Sequence, residues 1–241
     1  MTTLLRALID STGMARRPAF AAIREGRVRV GGTAVADPSS EYEGGALTLD
    51  GRVLHPSTAR KVYLLLHKPQ GYVTTASDEL GRATVFDLVP ERLQAPGLHS
   101  VGRLDKDTTG LLLLTNDGDL TYHLTHPKHE VDKEYWLQLA RVPTHAQLEA
   151  VRRGIELDGA LRRPIDLREL DPEQPRQFSI TLAEGRKREV RRMFEAVGAR
   201  VTYLMRVREG DLYLDDLEEG KVRPLTRQEE QALGVRVPRS G

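Results

Sequence analysis

The residues with the clearest chemical potential lie in a charged turn that directly precedes an apolar run. Arg103 and Asp105 stand within the segment 101–118, and the apolar residues of a predicted buried strand follow at 111–115. A turn in this position holds a carboxylate rigidly at the edge of a core without surrounding it with solvent. On spacing alone, Asp105 is either a structural partner of Arg103 or a nucleophile for covalent catalysis.

A second segment is strongly basic. Residues 184–208 include eight basic and three acidic side chains, a local charge of +5 in a chain whose net charge is +1, and an acidic cluster follows at 211–219. A polyanion responds to the local field, so this distribution is compatible with a positive cleft on a neutral protein. The predicted helix at 188–197 is either a solvated face with an Arg191–Glu195 pair or a basic wall that binds phosphates.

Composition excludes several classes of site. The chain has 241 residues and no cysteine, which excludes disulfides, thiolate nucleophiles, iron–sulfur clusters and cysteine-based zinc sites. The glycine-rich phosphate loop and the dinucleotide, zinc-protease and serine-hydrolase motifs are missing from the sequence. No apolar run approaches the ~18 residues of a membrane span, and the first residues do not have the pattern of a secretory signal. We therefore expect a soluble, cytoplasmic, globular protein.

Three histidines at a regular spacing raise the question of a metal site. His123, His126 and His129 are each three residues apart, but Pro127 prevents an unbroken helix across them. No carboxylate at a suitable spacing completes a set of ligands. We favour solvent-exposed or structural histidines over a metal site, and RNA contact is an alternative.

The first sixty residues are predicted to form a small module of two helices and a hairpin. An apolar stripe that begins at Leu4 predicts a helix that ends at Gly13, and Pro18 begins a second helix with Phe20 and Ile23 on its inner face. A β-hairpin over 27–35 turns at Gly31-Gly32, and 50–60 resembles a linker. The module carries projecting arginines, which form an RNA-docking surface or merely solubilise a small domain: Arg16, Arg17, Arg24, Arg27 and Arg29.

The rest of the chain predicts a mixed α+β domain. Strands adjoin one another more often than they alternate with long helices, which favours a largely antiparallel sheet. Strands are predicted at 62–66, 73–75, 111–115, 135–139, 178–182 and within 201–214; helices are predicted at 144–153, 188–197 and 226–233; and 116–118 is predicted to be a turn.

Taken in order, these segments resemble the bacterial ribosomal-RNA pseudouridine synthase family, in its RsuA-like branch of small- and large-subunit enzymes. The resemblance spans nearly the whole chain, and its motifs follow one another in the family's order. The matching elements are an S4-type RNA-binding module at 1–60, a K-P-x-G element with a following threonine at 68–74, the signature G-R-L-D-x-x-T-x-G-L-L-L-L-T-N-D-G at 102–118, K-x-Y at 133–135, the basic E-G-x-x-R-x-V-R-R-M motif at 184–193, L-x-R at 204–206 and G-x-x-R-x-L at 220–225.

The resemblance implies a domain organisation and an activity. It implies an S4-like RNA-binding domain at 1–58, followed by a catalytic domain at 61–241 with a mainly antiparallel sheet flanked by helices. The implied reaction isomerises a specific uridine of ribosomal RNA to pseudouridine: the base is flipped out, its N-glycosidic bond is cleaved, and the uracil rotates and is reattached through C5. No cofactor or metal is implied. The expected partner is 16S or 23S ribosomal RNA, or a ribosome assembly intermediate, and the protein is expected to be a monomer with no membrane association.

The same resemblance assigns roles to individual residues. Asp105 is implied to be the catalytic aspartate, Arg191 to pair with it, and Tyr135 to pack on the extracted uracil. Arg103 is implied to displace the base or hold a phosphate, and Leu204 to line the pocket. RNA contacts are expected from Arg16, Arg17, Arg24, Arg27, Lys68, Arg186, Lys187, Arg188 and Arg192. Whether Asp105 attacks C1′, attacks the base or abstracts a proton is left open by the sequence.

Two other classes of protein compete with this interpretation. A non-catalytic RNA-binding or ribosome-assembly factor would retain the scaffold without the reaction, but the presence of Asp105, Tyr135 and Arg191 together argues against it. A glycosidase or nucleosidase would use Asp105 to hydrolyse the glycosidic bond, and free uracil would then replace pseudouridine as the product. A transfer RNA substrate is an alternative within the same chemistry.

Overall fold

The computed structural model describes residues 2–14, 16–54, 61–76, 78, 80–183 and 185–235. Part of the predicted linker, at 55–60, and Glu184 of the basic motif lie outside the described residues. The chain divides into two compact units, one of residues 1–61 with 95–97 and the other of residues 62–94 with 98–241. No helix in the described part of the chain is long and apolar enough to cross a membrane.

The first unit contains two helices and short strands around its own core. The Thr3 hydroxyl accepts a hydrogen bond from the Arg6 amide at the start of the first helix, and Gly13 ends that helix in the left-handed conformation. Phe20 was predicted to face inward but is 46% exposed, because the second helix buries its small residues and Ile23 instead. The elements are β1 (Thr2–Thr3), α1 (Leu4–Thr12), α2 (Arg16–Arg24), β2 (Val28–Val30), β3 (Thr33–Ala34), β4 (Glu41–Tyr42), β5 (Leu47–Leu49) and β6 (Arg52–Leu54).

The strands of the first unit pair in two groups. The order β3-β2-β5-β6 forms a four-stranded sheet in which every pair is antiparallel, and β1 pairs with β4. The predicted hairpin at 27–35 is present as β2 and β3. Strand β6 (Arg52–Leu54) lies at the start of the segment 50–60 that was predicted to be a linker, and that part of the prediction is wrong.

The second unit is built around one large sheet. Its elements are β7 (Tyr63–Lys68), β8 (His99–Ser100), β9 (Thr109–Thr115), α3 (Gly118–Thr125), β10 (Lys133–Leu139), α4 (His145–Arg153), β11 (Ile155–Leu157), β12 (Ala160–Arg162), β13 (Asp166–Glu169), β14 (Gln177–Leu182), α5 (Glu189–Ala196), β15 (Val201–Glu209), β16 (Leu212–Tyr213), β17 (Val222–Pro224) and α6 (Arg227–Ala232). Short 3₁₀ turns lie at Val85–Leu88, Glu91–Leu93 and Pro127–His129.

The large sheet has the strand order β13-β14-β10-β15-β9-β7-β17, with β16 beside β15 and β8 beside β9. Among the described strands, β9 and β15 are parallel and the other pairs of this sheet are antiparallel. The α+β class with a largely antiparallel sheet is therefore confirmed.

Both faces of the centre of this sheet are buried. Leu64 and Leu66 pack into one apolar cluster with α4 and α5, while Tyr63 and Leu65 pack into a second cluster with α3. The residues of β9 divide in the same way, with alternate leucines in each cluster. A strand that is covered on both faces has an uninterrupted apolar sequence, which explains the consecutive leucines of β7 and β9.

Gly110 lies where β9 and β15 come closest. Its φ is +105°, and a Cβ at this position would lie 2.2 Å from the carbonyl oxygen of Arg206. Only glycine combines this backbone conformation with this approach. The parallel pairing of β9 with β15, in which Gly110 opposes Arg206, thus depends on the glycine of the T-x-G signature.

Other expectations at the level of elements are partly corrected. The predicted strand at 73–75 is an isolated bridge between Val73 and Thr84. The predicted turn at 116–118 leads directly into α3, whose N-cap is Asp117. The hairpin of β11 and β12 was not predicted; its strands have three residues each, and none of these residues is buried.

Candidate active site

A pocket of about 310 Å³ opens where the charged turn, β10, β15 and the start of α5 meet. The turn supplies Arg103 and Asp105, β10 supplies Tyr135, and β15 supplies Leu204. Four of the five residues that were predicted to form the catalytic centre therefore line one cavity. The remaining wall consists of Leu104, Thr108, Leu182, Gly185, Arg186, Lys187, Arg188, Glu189 and Val190.

Asp105 is half-buried on this pocket. Within the described parts of the chain, no hydrogen bond or ion pair engages its carboxylate, so the proposed structural pair with Arg103 does not form. Its main-chain carbonyl accepts the Thr108 amide at 3.1 Å, which closes the turn. The geometry thus holds the backbone of Asp105 and leaves the side chain available to a molecule in the pocket.

Residues 68–74 support the charged turn through hydrogen bonds to its backbone. The Thr74 hydroxyl donates to the Leu104 carbonyl at 2.8 Å and accepts the Leu104 amide at 3.3 Å. The Gly71 amide donates to the Lys106 carbonyl at 2.9 Å. Hydrogen bonds to the residues on both sides of Asp105 fix the position of its backbone.

Lys68 belongs to the same support, and this corrects its predicted role as a phosphate contact. It is fully buried, because it follows Leu64 and Leu66 on the inward face of β7. Its ammonium donates to the carbonyls of Pro69 at 3.0 Å and Thr108 at 2.8 Å. Burial lowers the pKa of Lys68 to about 8.

Arg191 does not line the pocket, and its predicted pairing with Asp105 is not present. Its guanidinium donates to the Asp107 carbonyl at 2.8 Å and the Val201 carbonyl at 3.1 Å, and its Nε lies 3.4 Å from the Asp107 carboxylate. The predicted surface pair with Glu195 is also not among the interactions of the described residues. Arg191 is mostly buried, because it faces the charged turn and not the solvent.

Asp107 is therefore the partner of Arg191 and Arg188 in the charged turn, and sequence analysis did not predict this role. Its carboxylate accepts two hydrogen bonds from Arg188, at 2.9 and 3.0 Å. Burial alone would raise the pKa of Asp107, but the Arg188 hydrogen bond and the charges of Arg191 and Arg188 outweigh it, and the pKa lies below its usual value. The signal was present in the sequence as a second acid two residues beyond Asp105.

Tyr135 is buried and stands opposite Arg206 in the pairing of β10 with β15. Burial raises the pKa of the Tyr135 hydroxyl, and the positive charge of Arg206 opposes that rise. Arg206 donates to the Leu111 carbonyl at 2.8 Å and lies 3.2 Å from a carboxylate oxygen of Glu209. The other oxygen of Glu209 lies 3.4 Å from the Lys133 ammonium. This buried ionic network beside the tyrosine was not predicted.

The arrangement offers one free carboxylate, one aromatic side chain and a basic rim around a cavity. A planar ring attached to a charged backbone matches these features, since an aromatic side chain stacks on a base and cations bind phosphates. In the described residues, no group of three histidine, aspartate or glutamate side chains could hold a metal ion.

Comparison with known proteins identifies the family. Residues 62–196 match the family described as RNA pseudouridylate synthase. The chain is 38% identical over 237 residues to the ribosomal large subunit pseudouridine synthase B of Bacillus subtilis (strain 168), covering 95% of this chain and 94% of that protein. The chain belongs to the bacterial ribosomal-RNA pseudouridine synthase family. It is accordingly an isomerase that acts on uridine in RNA.

Two further relatives support this assignment of the synthase. The ribosomal small subunit pseudouridine synthase A of Vibrio parahaemolyticus (serotype O3:K6) is 37% identical over 225 residues, covering 92% of this chain and 95% of that protein. The crystal structure of a pseudouridylate synthase superposes with a TM-score of 0.69 at 35% identity, covering 97% of this chain and all of that chain. The relatives thus include proteins named for both ribosomal subunits.

The basic side chains at the start of α5 in the synthase, which we call the basic rim, have different partners. Arg192 is bound to the carboxylate of Asp158 by two hydrogen bonds, at 2.7 and 2.8 Å. The buried Glu189 carboxylate accepts the Arg186 amide at 2.9 Å, which shapes the turn before α5. Lys187 is exposed, and no partner for it lies among the described residues. Lys187 is therefore, like Arg103, an exposed cation at the pocket that is accessible to a phosphate.

In the first unit of the synthase, the predicted RNA-binding arginines also differ from one another. Arg16, Arg17 and Arg24 are exposed. Arg27 instead forms two hydrogen bonds with the carboxylate of Asp50, at 2.6 and 2.8 Å. A phosphate at Arg27 would have to compete with this internal partner.

Proposed function

We propose that the synthase isomerises a specific uridine of ribosomal RNA to pseudouridine, with Asp105 as its catalytic carboxylate. The observation that carries the proposal is the Asp105 side chain, which faces a pocket together with Tyr135 and Leu204 while its backbone is fixed on both sides. The names of the relatives, which refer to ribosomal subunits, support ribosomal RNA as the substrate.

The target base must leave its stack before Asp105 can act on it, at a cost of a few kcal/mol. In the proposed complex Tyr135 packs on the extracted uracil, and contact of this kind contributes about 1–3 kcal/mol per base. Arg103 is exposed at the rim of the pocket, where its guanidinium is placed to occupy the vacated position or to hold a phosphate. Leu204 supplies an apolar wall against the base.

The reaction then exchanges one bond to the sugar for another. The N1–C1′ bond of the uridine breaks, the uracil turns within the pocket, and a C5–C1′ bond forms as C5 loses its proton to solvent and N1 takes up a proton from solvent. No atom is gained or lost overall. Asp105 attacks C1′, attacks the base or accepts the proton, and each of these roles requires an ionised carboxylate that is free of a permanent partner. The walls of the pocket keep the detached base in place until it rejoins the sugar.

We also propose an organisation of two functional domains. Residues 1–58 act as an S4-like RNA-binding module, supported by the exposed Arg16, Arg17 and Arg24, and residues 61–241 form the catalytic domain. The partner is 16S or 23S ribosomal RNA, or an assembling ribosomal particle, which the synthase meets as a monomer in the cytoplasm. Structured RNA of this kind is recognised by shape and unpaired bases.

The decisive experiment replaces Asp105→Asn. Transcripts of 16S and 23S ribosomal RNA labelled as [5-³H]uridine release tritium when a uridine is isomerised. We expect Asp105→Asn to abolish release while RNA affinity stays within about twofold, because the substitution removes the charge and preserves the shape. Asp211→Asn, an exposed aspartate with no partner among the described residues, serves as the control and should release tritium normally. Release by Asp105→Asn at the wild-type rate would refute the proposal.

The same samples distinguish isomerisation from hydrolysis. An enzyme that used Asp105 to hydrolyse the glycosidic bond would produce free uracil and an abasic site instead of pseudouridine. Nucleoside analysis of the treated transcripts should show pseudouridine and no free uracil. A comparison of ribosomal RNA from cells with and without the gene then identifies the modified uridine.

A further inference from the structure

A cluster of exposed rings lies at the end of α3 and in the turn that follows it. The ring centroids of Tyr122 and His126 are 4.7 Å apart, and those of His123 and His129 are 4.6 Å apart. His129 also meets the edge of Tyr122 at 5.9 Å. The ammonium of Lys128 lies 5.0 Å from the centre of the Tyr122 ring. We call these five residues the ring cluster.

The fold holds the ring cluster in place although it is exposed. The Pro127–His129 turn brings His129 back toward α3, and the His126 ring accepts the Lys128 amide at 3.3 Å. Tyr122 nevertheless remains 49% exposed. Aromatic side chains in such a cluster offer flat, partly apolar faces with polar edges, which is the surface on which unpaired bases stack.

A second cavity, of about 230 Å³, lies between His126 of the ring cluster and two residues of the catalytic pocket wall. His126 and Pro127 line it together with Gly185 and Arg186, which also line the catalytic pocket. The two cavities therefore share a wall. Lys133 contributes a further cation to the lining, and Glu130 contributes a carboxylate.

We propose that the ring cluster and the adjoining cavity form a subsite for an unpaired nucleotide next to the target uridine. The inference rests on the proposed function, since it takes an RNA strand with one base in the catalytic pocket as its starting point. The shared wall places the neighbouring nucleotide at the second cavity, where the His126 ring can stack on its base and the exposed Lys128, two residues along the chain, can meet its phosphate. Stacking is tolerant of sequence, so the subsite adds affinity for an opened strand and not for a particular base.

The test separates binding from chemistry. We compare the double variant Tyr122→Ala/His126→Ala with Tyr122→Phe, which retains the ring, and with His145→Ala, which removes an exposed histidine from the start of α4. Tritium release from 16S and 23S transcripts gives kcat and KM, and fluorescence anisotropy gives the affinity for a single-stranded oligouridylate of about 12 nucleotides, which is long enough to span both cavities. Far-UV circular dichroism and thermal melting verify that each variant is folded.

We expect the double variant to raise KM and weaken oligouridylate binding, each about tenfold, with kcat within about twofold of wild type. Tyr122→Phe and His145→Ala should leave all three quantities unchanged. Unchanged KM and oligouridylate affinity in the double variant would overturn the inference, as would a loss confined to kcat. A failure of the proposed function looks different, because the wild-type protein itself would then release no tritium from either transcript.

Discussion

The guanidinium of Arg191 donates a hydrogen bond to the carbonyl oxygen of Asp107 at 2.8 Å and lies 3.4 Å from the Asp107 carboxylate. Asp107 is two residues beyond Asp105 in the sequence. The Arg191 side chain also holds the Val201 carbonyl at 3.1 Å, so one cation joins α5, β15 and the catalytic turn. Asp107 forms the ion pairs of this turn, whereas no partner engages the Asp105 carboxylate among the described residues. In the proposed mechanism, Asp105 is thus oriented through its neighbours without a partner of its own.

Arg191→Lys tests this division of roles. A lysine retains the charge but cannot reach two carbonyls and a carboxylate at once, so the turn should loosen. We expect kcat to fall about 10²-fold and the free energy of unfolding to fall by about 1–3 kcal/mol, with RNA affinity unchanged. Arg188→Lys is the matched control, because it alters an exposed partner of Asp107 and should lower kcat less than tenfold. Wild-type kcat in Arg191→Lys would contradict the assigned role.

Lys68→Met distinguishes support of the turn from phosphate binding. The variant loses the hydrogen bond to the Thr108 carbonyl, so we expect kcat to fall by about 10²-fold. Because the ammonium is buried, the slope of log affinity against log salt should stay the same. Lys187→Ala is the comparison, and it should reduce that slope by nearly one. A reduced slope in Lys68→Met would restore the phosphate contact that the sequence predicted.

The buried Lys68 also makes stability depend on pH. Its pKa is about 8 in the folded protein, against 10.5 without burial, so between these values the unfolded chain binds the extra proton. Stability therefore rises with pH across this window, and below pH 8 the full cost of the buried charge is present. The wild type should gain on the order of 2–3 kcal/mol relative to Lys68→Met between about pH 7.5 and 10.5. Urea denaturation of both proteins at each pH measures this, and a constant difference would refute it.

Asp158→Asn should strengthen RNA binding. Asp158 occupies Arg192 with two hydrogen bonds, and asparagine tolerates the left-handed conformation of this residue, with φ of +53°. Removal of the carboxylate frees a cation and removes a repelling charge, so affinity should rise about two- to fivefold at low salt. The gain should disappear in an Arg192→Ala background. Equal gains in both backgrounds would show that Arg192 does not contact the RNA.

Gly110→Ala should disrupt the junction of β9 and β15. The added Cβ would overlap the Arg206 backbone, and we expect the free energy of unfolding to fall by about 3–5 kcal/mol. Gly51→Ala is the control, since Gly51 has φ of +78° but open space around its Cβ position, and it should cost only about 1 kcal/mol. Thermal denaturation of the two variants compares these costs, and equal losses would be contrary to the expectation.

Much of the site could be predicted because its residues lie in sequence motifs that can be recognised without the structure. Asp105, Tyr135 and Leu204 come from three separate segments and line one pocket, as the resemblance implied. Their partners could not be predicted in the same way. The contact of Arg191 with Asp107 and that of Arg206 with Leu111 join residues 84 and 95 positions apart. Such contacts depend on how strands are ordered, which local patterns do not specify.

The same distinction between local signals and long-range contacts applies to the helices and strands of the fold. The capping box of Thr144 with Gln147 and the apolar runs of β7 and β9 are local signals, and they were predicted within a few residues. Phe20 was predicted to face inward because it is apolar, but burial is decided by what packs against α2. Lys68 was expected to contact a phosphate of the RNA, whereas the structure buries it and two carbonyls make its burial tolerable.

The parallel contact between β9 and β15 divides the large sheet into two parts that are each made of antiparallel neighbours. Asp105 belongs to the part with β7 and β9, while Tyr135 and Leu204 belong to the part with β10 and β15. Neither part holds all the residues of the proposed active site. Formation of this one long-range junction should therefore be a late step during folding, and catalytic competence should emerge abruptly at that step, after most secondary structure has already formed.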